Sequence, residues 1–359
     1  MKIALISRAT LFTAKGGDTV QITETKAHLE KLGIDAEIIL NGSVINYEQY
    51  DILHFFNLIR PADILRHIKK SGKPFLITPI WIDYSAYDQT QRKGLLSLAK
   101  YLSRDKIEYL KTIVRWVRGK DKWPGITYLF KGQYNSMAEI VKKARVLLTN
   151  SDEEYETLRL VFPTIAPKVV VPLGVNDNIF CPTAEAGREQ NMIICVARIE
   201  GIKNQLNLIK ALNNTHFTLY LIGAAAPNQQ AYYQECKRIA GSNIKFIDHL
   251  PQQELISFYQ QAGAHILPSW YESCGLSSLE AAAMGCSVVI TRNGFASSYF
   301  GEEAFYCDPA SPKSILETIK KAATQKNQES MQNKIQEYYT WKLAAQKIIT
   351  VYKKVLAVQ

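Results

Sequence analysis

No stretch of this chain approaches the roughly 20 consecutive apolar residues of a membrane-spanning helix, so no span is expected. The opening segment, MKIALISRATLFTAKGG, has an apolar run too short and too soon charged for a signal peptide; it reads as a first strand. CxxC spacing is also missing. The six cysteines (Cys181, Cys195, Cys236, Cys274, Cys286 and Cys307) stand apart, which excludes cysteine-pair metal sites and redox dithiols. Cys195 and Cys286 fall inside strand-like runs, so the expectation is reduced, buried cysteines in a cytosolic protein. There is no G-x-G-x-x-G and no P-loop. No signature of a nucleic-acid-binding fold occurs either, and nucleic acid is not expected as a partner.

What is present describes a soluble globular protein. At 359 residues, 47% apolar and 21% charged, the chain exceeds one ordinary core, and two domains are expected. Strand-like and helix-like segments alternate, the pattern of parallel α/β architecture. KIALIS, AEIIL, DILHFF, PFLITPI, VLLTN and VVVPLG form one strand series; MIICVA, FTLYLIG, IKFID, AHILPS, SVVIT and AFYCD form a second. Two Rossmann-like, doubly wound domains facing each other across a cleft is the economical arrangement. The expected boundaries are 1–180 and 181–340, with residues 181–188 as linker and the C-terminal helix 341–359 completing the first domain.

The most specific chemical statement lies in Trp270–Gly285, WYESCGLSSLEAAAMG. Glu272 and Glu280, with seven residues between them, follow an apolar strand. A loop acid, a turn at Gly275 and a helix N-terminus then stand at the carboxyl end of that strand, where open α/β sheets bind anionic ligands. The same letters also fit a capping box, Ser277-x-x-Glu280, beside a solvated loop acid. In VARIEGIKNQ, Arg198 and Lys203 are five residues apart on a loop that opens a helix, and can converge on one anion. Cations and backbone N–H groups beside carboxylates suit a nucleotide sugar, whose diphosphate needs the former and whose hydroxyls suit the latter. Lys15-Gly16-Gly17-Asp18-Thr19 follows the first strand; its glycines permit close approach to a ligand or a φ above zero, and a plain tight turn fits as well.

Four segments in order, GGDTVQITETKAHLEKLGIDAEI, VVPLGVNDNIF, VARIEGIKNQ and YESCGLSSLEAAAMGCSVVIT, resemble those of the family 4 retaining glycosyltransferases of GT-B fold. The resemblance covers nearly the whole chain and is strongest over residues 171–290. It implies that Glu272 accepts hydrogen bonds from the donor sugar and that Glu280 holds the ribose. Arg198 and Lys203 would neutralise the departing diphosphate in place of a metal, and no D-x-D metal motif is present. Backbone groups at Cys274, Gly275 and Leu276 would touch sugar and phosphates. Gly16 and Gly17 would let the first domain close over the diphosphate, and the region of His249 and Leu250 would contact the base. The implied donor is UDP-linked, no cofactor is expected, and configuration at the anomeric carbon is retained.

One position departs from the family. Where many relatives carry a histidine after the fourth strand, this chain reads TPIWID, with Trp81 in the histidine's place. Asp83 takes its catalytic role, or His54 reaches the cleft, or His54 is a satisfied core residue. A catalytically silent nucleotide-sugar-binding partner and a sugar-nucleotide epimerase are the alternatives to a transferase. The net charge of +10 is unevenly placed: residues 91–150 hold fourteen Lys/Arg against four Asp/Glu, an excess as large as that of the whole chain. Within 91–135, Leu95, Leu98 and Leu102, then Tyr109, Ile113, Trp116 and Val117, recur at helical spacing, with Trp123, Tyr128, Phe130 and Tyr134 following. The segment suits docking on an anionic membrane surface from the cytoplasmic side, or packing on its own domain with a solvated basic face. A glycan or lipid-linked acceptor in bacterial surface polysaccharide synthesis is the expected partner.

Overall fold

The computed structural model describes residues 1–82, 104–119, 122–181, 187–325 and 328–357. These form two compact units. The first contains residues 1–81, 104–172 and 341–357, and the second residues 173–340.

Each unit is built on a six-stranded sheet whose paired strands all run parallel. The first contains β1 (Lys2–Ser7), β2 (Asp35–Leu40), β3 (Ile52–Phe56), β4 (Phe75–Thr78), β5 (Leu147–Thr149) and β6 (Lys168–Val170), in the order β2-β1-β3-β4-β5-β6. The second contains β7 (Glu189–Val196), β8 (Thr218–Ile222), β9 (Ile244–Ile247), β10 (Ala262–Leu267), β11 (Ser287–Thr291) and β12 (Phe305–Cys307), in the order β12-β11-β10-β7-β8-β9. The expected strand runs all appear. Central ones such as β3, β10 and β11 are buried at every residue, because helices cover both faces and continuous apolar runs, not alternation, are then required.

In the first unit the helices are α1 (Gly17–Lys31), α2 (Pro61–Ser71), α3 (Arg104–Val117), α4 (Ile126–Lys143) and α5 (Asp152–Val161). The second unit holds α6 (Gln205–Leu212), α7 (Gln230–Ile239), α8 (Gln252–Gln261), α9 (Leu276–Ala283), α10 (Ser297–Phe300), α11 (Pro312–Ala323) and α12 (Glu329–Tyr338). The last helix, α13 (Trp341–Ala357), belongs to the first unit and packs on α1. Local signals set many ends: Ser151 and Ser311 cap α5 and α11, and Pro312 begins α11.

His54, on β3, is fully buried, with Nδ1 at 2.6 Å from Tyr352 Oη of α13 and Nε2 at 2.8 Å from Thr78 Oγ1. Both ring nitrogens are thus satisfied inside the first core, and His54 is a core residue. Trp81 is likewise buried, edge-on to Phe162, and its backbone N–H donates to Glu154 Oε1 at 2.7 Å. Asp83 lies outside the described residues. No described helix is long and apolar enough to cross a membrane. Five cysteines are buried as expected, but Cys181 is exposed. The far end of the expected linker is anchored, not loose. Arg188 donates to the carbonyls of Tyr259, Gln260, Ala262 and Met284 at 2.7–3.2 Å.

Candidate active site

Strand order places the site. In the second sheet the connections run one way from β7 through β8 to β9, and the other way from β10 through β11 to β12. The order reverses between β7 and β10, and the loops leaving their carboxyl ends flank the crevice where such sheets bind ligands. Arg198 and Lys203 leave β7; Glu272 and Gly275 leave β10. Backbone and side-chain bonds tie the two loops together: Trp270 N–H donates to Ile202 O at 2.9 Å, and buried Asn204 donates to Pro268 O at 3.0 Å.

Glu272 is 5% exposed and far from a solvated loop acid. Its Oε1 accepts from Lys203 Nζ and, at 2.7 Å, from buried Ser269 Oγ. Its main chain is clamped by the segment after β11. Glu272 N–H donates to Asn293 O at 2.9 Å, and Phe295 N–H donates to Glu272 O at 2.8 Å. Gly294 between them has φ +111°, and a Cβ there would stand 2.1 Å from Glu272 O, so only glycine permits this approach. A carboxylate this deep in the fold persists because its charge is paired and its Oε1 accepts two hydrogen bonds.

Arg198 is exposed and sits on the same loop as Lys203; its Nη2 lies 2.6 Å from Glu200 Oε1, while Lys203 bonds to Glu272. Gly275, at φ +80°, is the residue before α9, so Ser277 is already within the helix. The expected Ser277–Glu280 capping box therefore does not form. Glu280 points to α8 instead, accepting from Gln252 Nε2 at 2.8 Å and Tyr259 Oη at 2.9 Å. Burial, with the Glu280 charge beside it, raises the Tyr259 phenol well above its ordinary range and keeps it a donor. Cys274 is fully buried and Leu276 half-buried; burial, with Glu272 adding, pushes the Cys274 thiol up, so it contributes backbone and not thiolate chemistry. His249 is exposed and Leu250 half-exposed, just before Gln252, which joins this turn to Glu280.

Gly16 and Gly17 belong to the first unit. Gly16 is extended (φ −154°) and precedes α1, its N–H donating to Thr19 Oγ1 at 3.0 Å. Neither glycine has a positive φ, and a Cβ on Gly17 would meet nothing within 4 Å. A strained turn is thus not their reason, and at Gly17 a side chain would stand in open space. Sequence reasoning missed Ser269, Gly294, Gln252, Tyr259 and Glu200. Their only local signs are the Pro-Ser end of a strand run and an Asn-Gly turn.

The family profile described as Glycosyl transferases group 1 matches residues 183–340, the stretch that carries the Lys203–Glu272 geometry. That match lies within the second unit and spans less than half of the chain. Among curated relatives, the chain is 28% identical over 251 residues to a probable sucrose-phosphate synthase of Thermosipho melanesiensis; the match takes in 63% of the chain and 58% of that relative, less than two thirds of its length. Among solved structures, sucrose-phosphate synthase from Thermosynechococcus elongatus superposes with a TM-score of 0.77 at 16% identity, covering 100% of both chains. An Anabaena protein in complex with UDP-glucose gives a TM-score of 0.70 at 14% identity, covering 99% of this chain and 100% of its own. The fold is therefore the GT-B fold expected from the sequence.

Proposed function

We propose that the chain is a retaining glycosyltransferase that moves a hexose from a nucleotide-diphosphate donor to a glycan or lipid-linked acceptor, in bacterial surface polysaccharide synthesis. The observation that carries this reading is the meeting of Lys203 and Glu272 from two crossover loops at the point where the strand order reverses. A cation for phosphate and a carboxylate for hydroxyls then stand side by side, held by Ser269 and the Gly294 clamp. Glu280, on the next helix and beside the 248–252 turn, is assigned to the ribose, with His249 and Leu250 near the base and the Cys274–Leu276 backbone toward sugar and phosphates. Gly16 and Gly17 are carried as donor contacts, and Asp83 as an acceptor-side group, on the resemblance alone.

The chemistry follows from charge. Breaking the bond from the sugar to the diphosphate leaves a cationic sugar centre and a leaving group that gains negative charge. Arg198 and Lys203, once engaged by the bound diphosphate, stabilise that charge as it develops. UDP is the favoured donor base because the Anabaena neighbour was solved with UDP-glucose. Attachment to the inner face of the membrane is proposed from the first unit. Val117, Ile126 and Phe130 are 71%, 66% and 88% exposed there, among Lys106, Lys111, Arg118, Lys122 and Lys131.

A thermal-shift panel of nucleotide sugars, followed by product analysis, tests the reading. A UDP-sugar should raise the melting temperature and yield a transferred or hydrolysed sugar with retained configuration. Glu272→Ala should lose turnover by 100-fold or more, about 3 kcal/mol of transition-state stabilisation, while UDP binds at least as tightly as to the native chain. Binding without any turnover would identify a silent partner instead, and an epimerised nucleotide sugar an epimerase.

A further inference from the structure

The geometry points to an anion exchange that gates the site, with Glu200 as an internal competitor that holds Arg198 until the donor diphosphate displaces it. The inference rests on the nucleotide-sugar reading and adds to it how the donor is admitted.

Both cations assigned to the diphosphate are already occupied by carboxylates. Arg198 Nη2 is 2.6 Å from Glu200 Oε1, and Lys203 Nζ is bonded to Glu272 Oε1. The Arg198 side chain is 42% exposed and that of Lys203 22%, so a ligand can reach both, whereas the Glu200 and Glu272 side chains are 14% and 6% exposed. Glu200 does not depend on Arg198 for its place. Its backbone is extended (φ −158°, ψ 154°) at the start of the turn Gly201–Lys203, and its carbonyl accepts from Lys203 N–H at 2.9 Å. One residue therefore pairs with the first cation through its side chain and positions the second through its main chain.

A guanidinium fork accepts a carboxylate and a phosphate with the same N–H groups, so Glu200 and a diphosphate compete for Arg198. At Lys203 the exchange has a second effect. When phosphate takes the ammonium, Glu272 Oε1 keeps Ser269 and regains a lone pair for a sugar hydroxyl. Binding of the diphosphate thus adds acceptor capacity at Oε1 to that of the second carboxylate oxygen. After transfer, Glu200 returns to Arg198 as the nucleotide leaves.

Glu200 is thus a positioning residue, and charge is what it contributes. The test is calorimetric titration of the full chain, Glu200→Gln and Glu200→Asp with UDP and with uridine, alongside donor KM and kcat. Removing the charge while keeping an acceptor oxygen should tighten UDP binding about fivefold and lower donor KM, with uridine affinity unchanged and Glu200→Asp returning UDP affinity toward that of the native chain. Glu200→Ala should shift UDP affinity in the same direction, which guards against a glutamine-specific distortion. Equal or weaker UDP binding by both the Gln and Ala variants, at unchanged melting temperature, overturns the gate. Should the native chain bind no nucleoside diphosphate at all, the nucleotide-sugar reading falls and takes this inference with it.

Discussion

Gly294 has the most exacting position of any residue at the site. Its φ of +111° and the 2.1 Å approach of its missing Cβ to Glu272 O mean that alanine there is strained in conformation and in contact at once. We expect Gly294→Ala to destabilise the protein by about 2–4 kcal/mol and to lower turnover more than UDP affinity, since the main chain of Glu272 must shift. Gly17→Ala is the matched control, because its Cβ meets nothing within 4 Å and its φ is not positive. Equal melting curves for the two variants would remove the clamp from the account. Glu272 itself was legible in the sequence because the motif around it is local. Its support was not, since Asn293–Phe295 comes from another strand end and carries only a generic turn signal. Glu280 was legible as a residue and misread as a contact: spacing suggested a cap, and the turn at Gly275 put the helix start before Ser277.

At the scale of elements, the strands were readable because a parallel sheet covered on both faces demands unbroken apolar runs, and nothing else in the chain supplies them. Helix faces were harder. In α3, Tyr109 stacks on Tyr128 and Trp116 meets Trp123 edge-on, as the helical spacing implied. Val117, grouped by spacing with that inward stripe, is instead 71% exposed, and with Leu110 and Val114 it forms an outward apolar row. Leu95, Leu98 and Leu102 lie outside the described residues. Phe130, 88% exposed, sits just before Gly132, whose φ of +73° breaks the helical path of α4. Exposed apolar side chains with lysine and arginine close by in sequence suit an anionic interface. We expect the protein to co-sediment with anionic vesicles at low salt and not with neutral ones. The double change Val117→Asp, Phe130→Asp should abolish this without lowering the melting temperature, because both side chains are exposed. Equal binding to both vesicle types, or to neither, would dismiss membrane docking.

For the whole molecule, buried titratable groups set opposing pH trends. Burial lowers His54 to about 3, His265 to about 3 and His67 to about 4, so all three are neutral in the folded protein at pH 6. The unfolded chain protonates them below about 6.5, and their contribution to stability is lost as pH falls from there toward 4. Glu154 acts in the other sense. Burial pushes its carboxyl up to about 7 although Trp81 and Asn150 N–H groups bond to it. Between its ordinary 4.5 and about 7 the folded state holds a proton that the unfolded chain releases, so stability declines as pH rises through that window. The difference in melting temperature between Glu154→Gln and the native chain should therefore shift in favour of the variant from pH 5 to pH 7.5. A pH-independent difference would show that Glu154 is ionised throughout. The chain also crosses between its two units side by side. Val175 N–H donates to Tyr339 O at 2.8 Å and Val175 bridges Thr340, while Pro172 and Trp341 line one small cavity. In genetic terms residues 173–340 are a cassette inserted into a host domain at a single point, with both splice junctions together. Recombination can exchange such a cassette whole without rewriting the host's fold, and on the proposed function that exchange would change the donor sugar.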